Sequence, residues 1–176
     1  MKWIPVIFLL AVLLISWAFY YRLRKWTFWQ KVTLFSGLIY FLTVVWLTFY
    51  PAGMTFFAGG YKPIKYFGNV AYNLVALRYF DGGFVENIIM TIPAGVYLSL
   101  AKPKLSKSKI LLWSLVPGLV IESCQFFSDL TVNLQRVVDI DDLCANTLGM
   151  LIGYGIIFLL KQTDLNKVIT KLTLTN

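Results

Sequence analysis

The sequence predicts an all-α, polytopic membrane helical bundle of about five transmembrane helices. Its N-terminus is expected outside and its C-terminus cytoplasmic, with a long outer loop between spans two and three. Three observations carry this. First, of 176 residues 59% are hydrophobic and 14% charged, against about 45–50% and about 25% in soluble domains. The mean hydropathy of +0.72 agrees. Second, the apolar residues fall into five runs close to the roughly 20 residues that cross a bilayer core. Third, Lys and Arg sit in short blocks between those runs, eleven on one side and five on the other. Such an excess marks the cytoplasmic side.

The first run, Trp3–Tyr21, ends in "SWAFYYRLRK", an aromatic group beside positive charge. That is an interfacial anchor. No small-residue cleavage site follows, so a retained helix is expected and not a signal peptide. The second run is Val32–Tyr50. The stretch Pro51–Val85 after it is rich in Gly and aromatics. It is expected to lie at the lipid interface or dip between helices, with a floppy loop as the alternative.

Span three is expected over about Asn87–Ala101, starting near Phe84. Span four covers Ile110–Phe127, and span five about Leu143–Leu160. In the cytoplasmic tail, 161–176, Leu165, Val168, Ile169 and Leu172 recur at helical spacing. The tail is expected either to rest on the inner leaflet or to fray. The whole chain, 1–176, reads as a single membrane domain.

The composition also excludes. There is no histidine, so Ser-His-Asp and Cys-His catalysis and histidine-nucleophile phosphatases are ruled out. The two cysteines, Cys124 and Cys144, form no C-x-x-C, so no zinc site, and indeed no metal or other cofactor, is expected. Buried free thiols are the default reading of both. The net charge of +8 does not read as a nucleic-acid footprint, because the basic residues sit where topology requires them. The partner expected from composition is the lipid bilayer.

The polar residues inside the spans carry the functional reading. In "RVVDIDDLCANTLGMLIGYGIIFLL" (Arg136–Leu160), Asp139, Asp142, Asn146, Gly149 and Gly153 are spaced 3, 4, 3 and 4, one stripe of a helix. Asp141 and Cys144 fall off it. Span four carries Glu122 and Gln125 on one face near its outer end. Span three carries Asn87, Thr91 and Gly95 on one face, with Pro93 expected to kink it. Pro117-Gly118 is expected to bend span four.

Glu86, Asn87, Glu122, Gln125, Arg136, Asp139, Asp142 and Asn146 therefore share the outer third. Charged groups in a span are costly and face the bundle or a wet cavity. An outward-facing polar pocket is the expectation. Plainer readings stand beside it. Asp139 is also placed to cap a helix, and Arg136 to pair statically with a carboxylate. Asn146 and Gln125 suit simple interhelical hydrogen bonds.

Five stretches together resemble a family: "TFYP" (Thr48–Pro51), "NLVALR" (Asn73–Arg78), "ENIIMTIPAG" (Glu86–Gly95), "IESCQ" (Ile121–Gln125) and "RVVDIDDLCANTLGMLIGY" (Arg136–Tyr154). In this order they are similar to the motifs of VanZ-like membrane proteins, known from teicoplanin resistance. The resemblance covers about 48–154. Ala76 departs from it where the family has proline, and Thr91 where it usually has an apolar aromatic residue.

The resemblance implies a multi-pass protein of the bacterial plasma membrane, linked to glycopeptide tolerance. It implies no reaction. Asn87, Glu122, Gln125, Arg136, Asp139, Asp142 and Asn146 are the expected ligand-binding residues. One reading has them bind an envelope lipid headgroup or lipid-linked cell-wall material, with Arg136 on a phosphate. A second makes the site an enzyme for lipid phosphates, Asp139 and Asp142 holding Mg²⁺ and Glu122 acting as acid or base. A third is a structural partner of another membrane complex.

Overall fold

The computed structural model describes residues 2–50, 63–77 and 82–175. Parts of the expected outer loop, 51–62 and 78–81, lie outside the described residues, and with them Pro51, Lys62 and Arg78.

Five helices are long and apolar enough to cross a membrane: α1 (Ile4–Arg22), α2 (Phe28–Phe49), α3 (Gly82–Ala101), α4 (Lys107–Val132) and α5 (Ile140–Leu160). Each covers an expected span, usually with extra turns. α4 gains Lys107–Lys109 at one end and Ser128–Val132 at the other, because polar residues continue a helix past the apolar run that announces it. α3 and α4 run unbroken through Pro93 and Pro117. α2 opens on a capping box: Thr27 N–H donates to Gln30 Oε1 at 3.0 Å, and Gln30 N–H to Thr27 Oγ1 at 3.4 Å. This reciprocal pair satisfies two of the free N–H groups at a helix start.

α3 and α5 form the closest pair. A β-carbon on Gly95, Gly149 or Gly153 would overlap the backbone carbonyls of Met150, Ile88 and Ile92 respectively. The backbones touch because those positions carry no side chain, the packing that small residues permit between membrane helices. α4 closes on α5 in the same way at Gly118, whose missing β-carbon leaves room for Leu143. At one end of the bundle α1 joins through Val6, which packs with Phe49 and Leu134.

A small sheet differs from the all-helical expectation. β1 (Lys65–Phe67) pairs antiparallel with β2 (Val70–Asn73), and β2 pairs parallel with β3 (Val137–Asp139). The β1–β2 turn uses Gly68 at φ +61°, a conformation glycine adopts without strain. Val70, Tyr72, Val137 and Val138 are good strand formers. Three- and four-residue strands are too short to show a period, and β3 lies far from β2 in sequence. This end of the bundle is called the sheet end below.

At the opposite, tail end the chain closes with α6 (Asn166–Leu172). The tail neither frays nor simply lies on lipid. Ile169 is buried against Leu100 and Ile157. Gln30 Nε2 donates to Thr173 O at 3.0 Å, Thr33 Oγ1 to Leu172 O at 2.8 Å, and Leu174 N–H to Leu100 O at 2.9 Å. Hydrogen-bond donors on α2 read the tail's backbone, which no apolar period in the tail foretells.

Candidate functional site

Asp139 is the hinge of the sheet end. It ends β3 and is the N-cap of α5, its carboxylate accepting from Asp141 N–H at 2.9 Å. The same Oδ1 accepts from Asn73 Nδ2 at 2.9 Å, and Asp139 N–H donates to Glu122 Oε2 at 2.8 Å. One residue thus joins β2, α4 and α5. Asn73 and Asp139 are 0% and 2% exposed. They meet because the parallel register sets Asn73 opposite Asp139. Asp141 Oδ1 accepts from Leu77 N–H at 2.5 Å, so the chain after β2 is tied to the start of α5. Asp141 and Asp142 also stand in the first turn of α5, where the helix dipole favours negative charge.

Arg136 lies beside this group and is half-buried. Its guanidinium donates to Tyr50 O at 3.2 Å and Leu47 O at 3.4 Å, the free carbonyls at the end of α2. Its backbone N–H reaches Asp129 Oδ1 at 3.4 Å. Burial pulls the Arg136 pKa down, and the Asp129 and Asp142 carboxylates push it back up. The guanidinium is therefore held by α2 carbonyls and by two carboxylates near it. A cation at a helix C-terminus complements the dipole.

Several buried polar atoms have no hydrogen-bond partner among the described residues: Asn146 Oδ1 and Nδ2, Gln125 Oε1, Asp129 Oδ2 and Asp141 Oδ2. Asn146 is 0% exposed. Its backbone carbonyl accepts from Thr91 Oγ1 at 3.0 Å, which fixes it at the α3–α5 contact while its side-chain amide goes unused. Each orphaned group costs about 1–3 kcal/mol. Four of the five orphaned atoms are acceptors.

Of the seven residues chosen from sequence, Glu122 and Asp139 touch directly. Gln125 follows Glu122 by one turn on α4 and is buried, as Asn146 follows Asp142 on α5. Asp142 is half-buried. Asn87 is half-buried at the start of α3, and only its backbone carbonyl is engaged, by Thr91 Oγ1 at 2.8 Å. Three residues were missed. Asp141, placed off the stripe, is 1% exposed, because the sheet covers a second face of α5. Asn73 and Asp129 are buried as well. Their signal was present: a polar residue inside "NLVALR", and a carboxylate one turn from Gln125.

Both cysteines are free and half-buried. Among the described residues no group of three or more Cys, Asp or Glu side chains is arranged to hold a metal ion.

Five helices long and apolar enough to cross a membrane, with polar residues gathered and buried at one end, mark a multi-pass membrane protein. The chain belongs to the VanZ/LLP1 family, whose model matches residues 35–161, a stretch that contains α3, α4, α5, the sheet and every site residue above. No curated protein and no solved structure matches it.

Proposed function

We propose that the sheet-end site binds the polar headgroup of an envelope lipid or lipid-linked cell-wall precursor. The site faces the outer side of a bacterial plasma membrane in this reading, and binding lowers the access of a lipid-tailed glycopeptide such as teicoplanin. The single observation that carries the reading is Asn146, fully buried with neither amide atom partnered among the described residues. Buried polar groups left unmade mark a place where a ligand or water completes the bonding.

The surplus of acceptors speaks to ligand chemistry. Gln125 Oε1, Asp141 Oδ2 and Asn146 Oδ1 call for donors, that is hydroxyl or amino groups, as sugar and aminoacyl headgroups carry. Arg136 is turned to the carbonyls of α2. That moves it away from the phosphate-holding role its sequence position suggested. Family membership supports the link to glycopeptide tolerance.

The test compares wild type with Asn146→Leu and Gln125→Leu, which replace each amide by an apolar side chain. Glycopeptide tolerance of cells is measured at equal membrane levels, together with lipid retained on the purified protein by native mass spectrometry. Both variants should lose tolerance and the retained species. Full tolerance with unchanged retention in both would sink the proposal.

A further inference from the structure

The tail end carries a site of a different kind. A cavity of about 350 Å³ opens between the α1–α2 connection and the docked tail, lined by Arg24, Lys25, Trp26 and Leu174. Its two faces are independently fixed. The Trp26 indole N–H donates to Tyr21 O at 2.9 Å, and the capping box sets the chain direction just beyond. Leu174 is held by its N–H to Leu100 O. Arg24 and Lys25 stay exposed while Trp26 is buried beneath them.

The chemistry of the wall is cationic above and apolar below. Among the described residues no carboxylate lines it. The sequence places eleven Lys and Arg at this end of the bundle and a single acid, Asp164. The positive end of α2, a 22-residue helix, adds to the field. A cavity with two cations at the mouth and an indole and a leucine within suits one ligand: a phosphodiester that enters with acyl chains attached. Basic pockets at helix ends on the cytoplasmic side hold anionic headgroups in this way.

We infer that the Arg24–Lys25–Trp26–Leu174 cavity binds the headgroup of an anionic phospholipid from the leaflet at the tail end. The lipid would bridge the α1–α2 corner and the C-terminal tail, fastening α6 to the bundle. This inference is independent of the sheet-end site.

The test reconstitutes the full chain in nanodiscs of mixed phosphatidylcholine and phosphatidylglycerol, releases it and counts retained lipid by native mass spectrometry. Wild type should keep one phosphatidylglycerol in preference to phosphatidylcholine. The double variant Arg24→Gln with Lys25→Gln should weaken that retention by roughly tenfold to thirtyfold, the factor two interfacial cations supply. Lys107→Gln with Lys109→Gln, which removes equal charge at the same end away from the cavity, should leave it unchanged. Equal loss in both double variants would mean diffuse attraction and overturn the site. Displacement of the lipid by millimolar inorganic phosphate would overturn the lipid as ligand, leaving a soluble-anion site instead.

Discussion

Asn73 and Asp139 stand opposite each other across the parallel β2–β3 pair, and the Asn73 amide donates to the Asp139 carboxylate at 2.9 Å. Both side chains are buried. The bond ties the loop after α2 to the entrance of α5, so it belongs to the frame of the site as well as to the sheet. Asn73→Ala leaves the Asp139 oxygen with one donor fewer in a buried setting. Hydrogen bonds to charged groups contribute about 1.5–3 kcal/mol. Thermal unfolding in detergent should show a loss of that order, with Leu77 amide exchange accelerated because its acceptor, Asp141, sits on the same frame. An unchanged melting temperature would refute the coupling.

Removing the Arg136 side chain should leave Asp129 held by backbone N–H groups without its cation. Asp129 is 1% exposed, and the Arg136 guanidinium attracts its carboxylate. A double-mutant cycle separates the partners. Arg136→Ala should destabilise, because the guanidinium's bonds to Leu47 O and Tyr50 O and its attraction to Asp129 are lost. Adding Asp129→Asn should recover part of the stability. Adding Asp139→Asn in place of Asp129→Asn should not, since Asp139 is held by Asn73, Asp141 and its own amide bond to Glu122. Equal recovery by both second changes would show that Arg136 acts as a general counter-charge.

The α3–α5 contact predicts a sharp steric response. Gly153→Val puts a β-carbon where the Ile92 carbonyl already sits, and two methyl groups beyond it. Overpacking costs about 1–3 kcal/mol even where neighbours are flexible, and a backbone carbonyl is not. Gly155, beside which a β-carbon meets nothing within 4 Å, is the control. Gly155→Ala should leave the midpoint of unfolding unchanged or slightly raised, because alanine is the better helix former. Comparable losses at the two positions would argue against close α3–α5 packing.

Orientation follows from charge and is open to direct labelling. In a background without Cys124 and Cys144, Thr131→Cys at the sheet end should react with an impermeant thiol reagent in intact cells. Lys104→Cys should react only after lysis. Both positions are exposed. Asp129, nearer the apolar limit of span four, is unsuitable because it is buried. The reverse labelling pattern would invert the protein and place the polar site in the cytoplasm.

The five spans were legible because each is an apolar run of near bilayer length, a signal that survives errors of several residues at its ends. The Gly149–Gly153 contact was legible for a similar reason: a regular period on one helix. Asp141 was not. A helical wheel assigns one inward face, and Asp141 is buried by a sheet that packs on another. Asn73 was hidden because its burial depends on strand pairing with β3, a contact between distant segments. The tail's docking rests on Gln30 and Thr33 reaching backbone carbonyls, and a backbone acceptor leaves no mark in a sequence.

Asn146 sets stability against function. Its amide is fully buried with both atoms unpartnered among the described residues, while its backbone carbonyl receives Thr91 Oγ1 at 3.0 Å. If the amide waits for a ligand, the empty protein bears the desolvation cost of two unmade bonds. Asn146→Leu removes that cost, sets an apolar branched side chain of the same heavy-atom count in its place and retains the backbone carbonyl that Thr91 uses. The ligand-free variant should therefore be more stable than wild type, by about 1–3 kcal/mol, and yet inactive in the tolerance assay. This is the pattern of a site kept destabilised for binding. Thr91→Val separates this from a structural role: it removes the hydroxyl bond at the same contact and should lower stability, with tolerance falling only as far as protein levels fall. Stability is measured by chemical denaturation in lipid-free detergent, where no headgroup compensates. An Asn146→Leu protein less stable than wild type by more than the about 1–3 kcal/mol that overpacking costs would mean that the amide is bonded in the folded bundle and is no vacancy for a ligand.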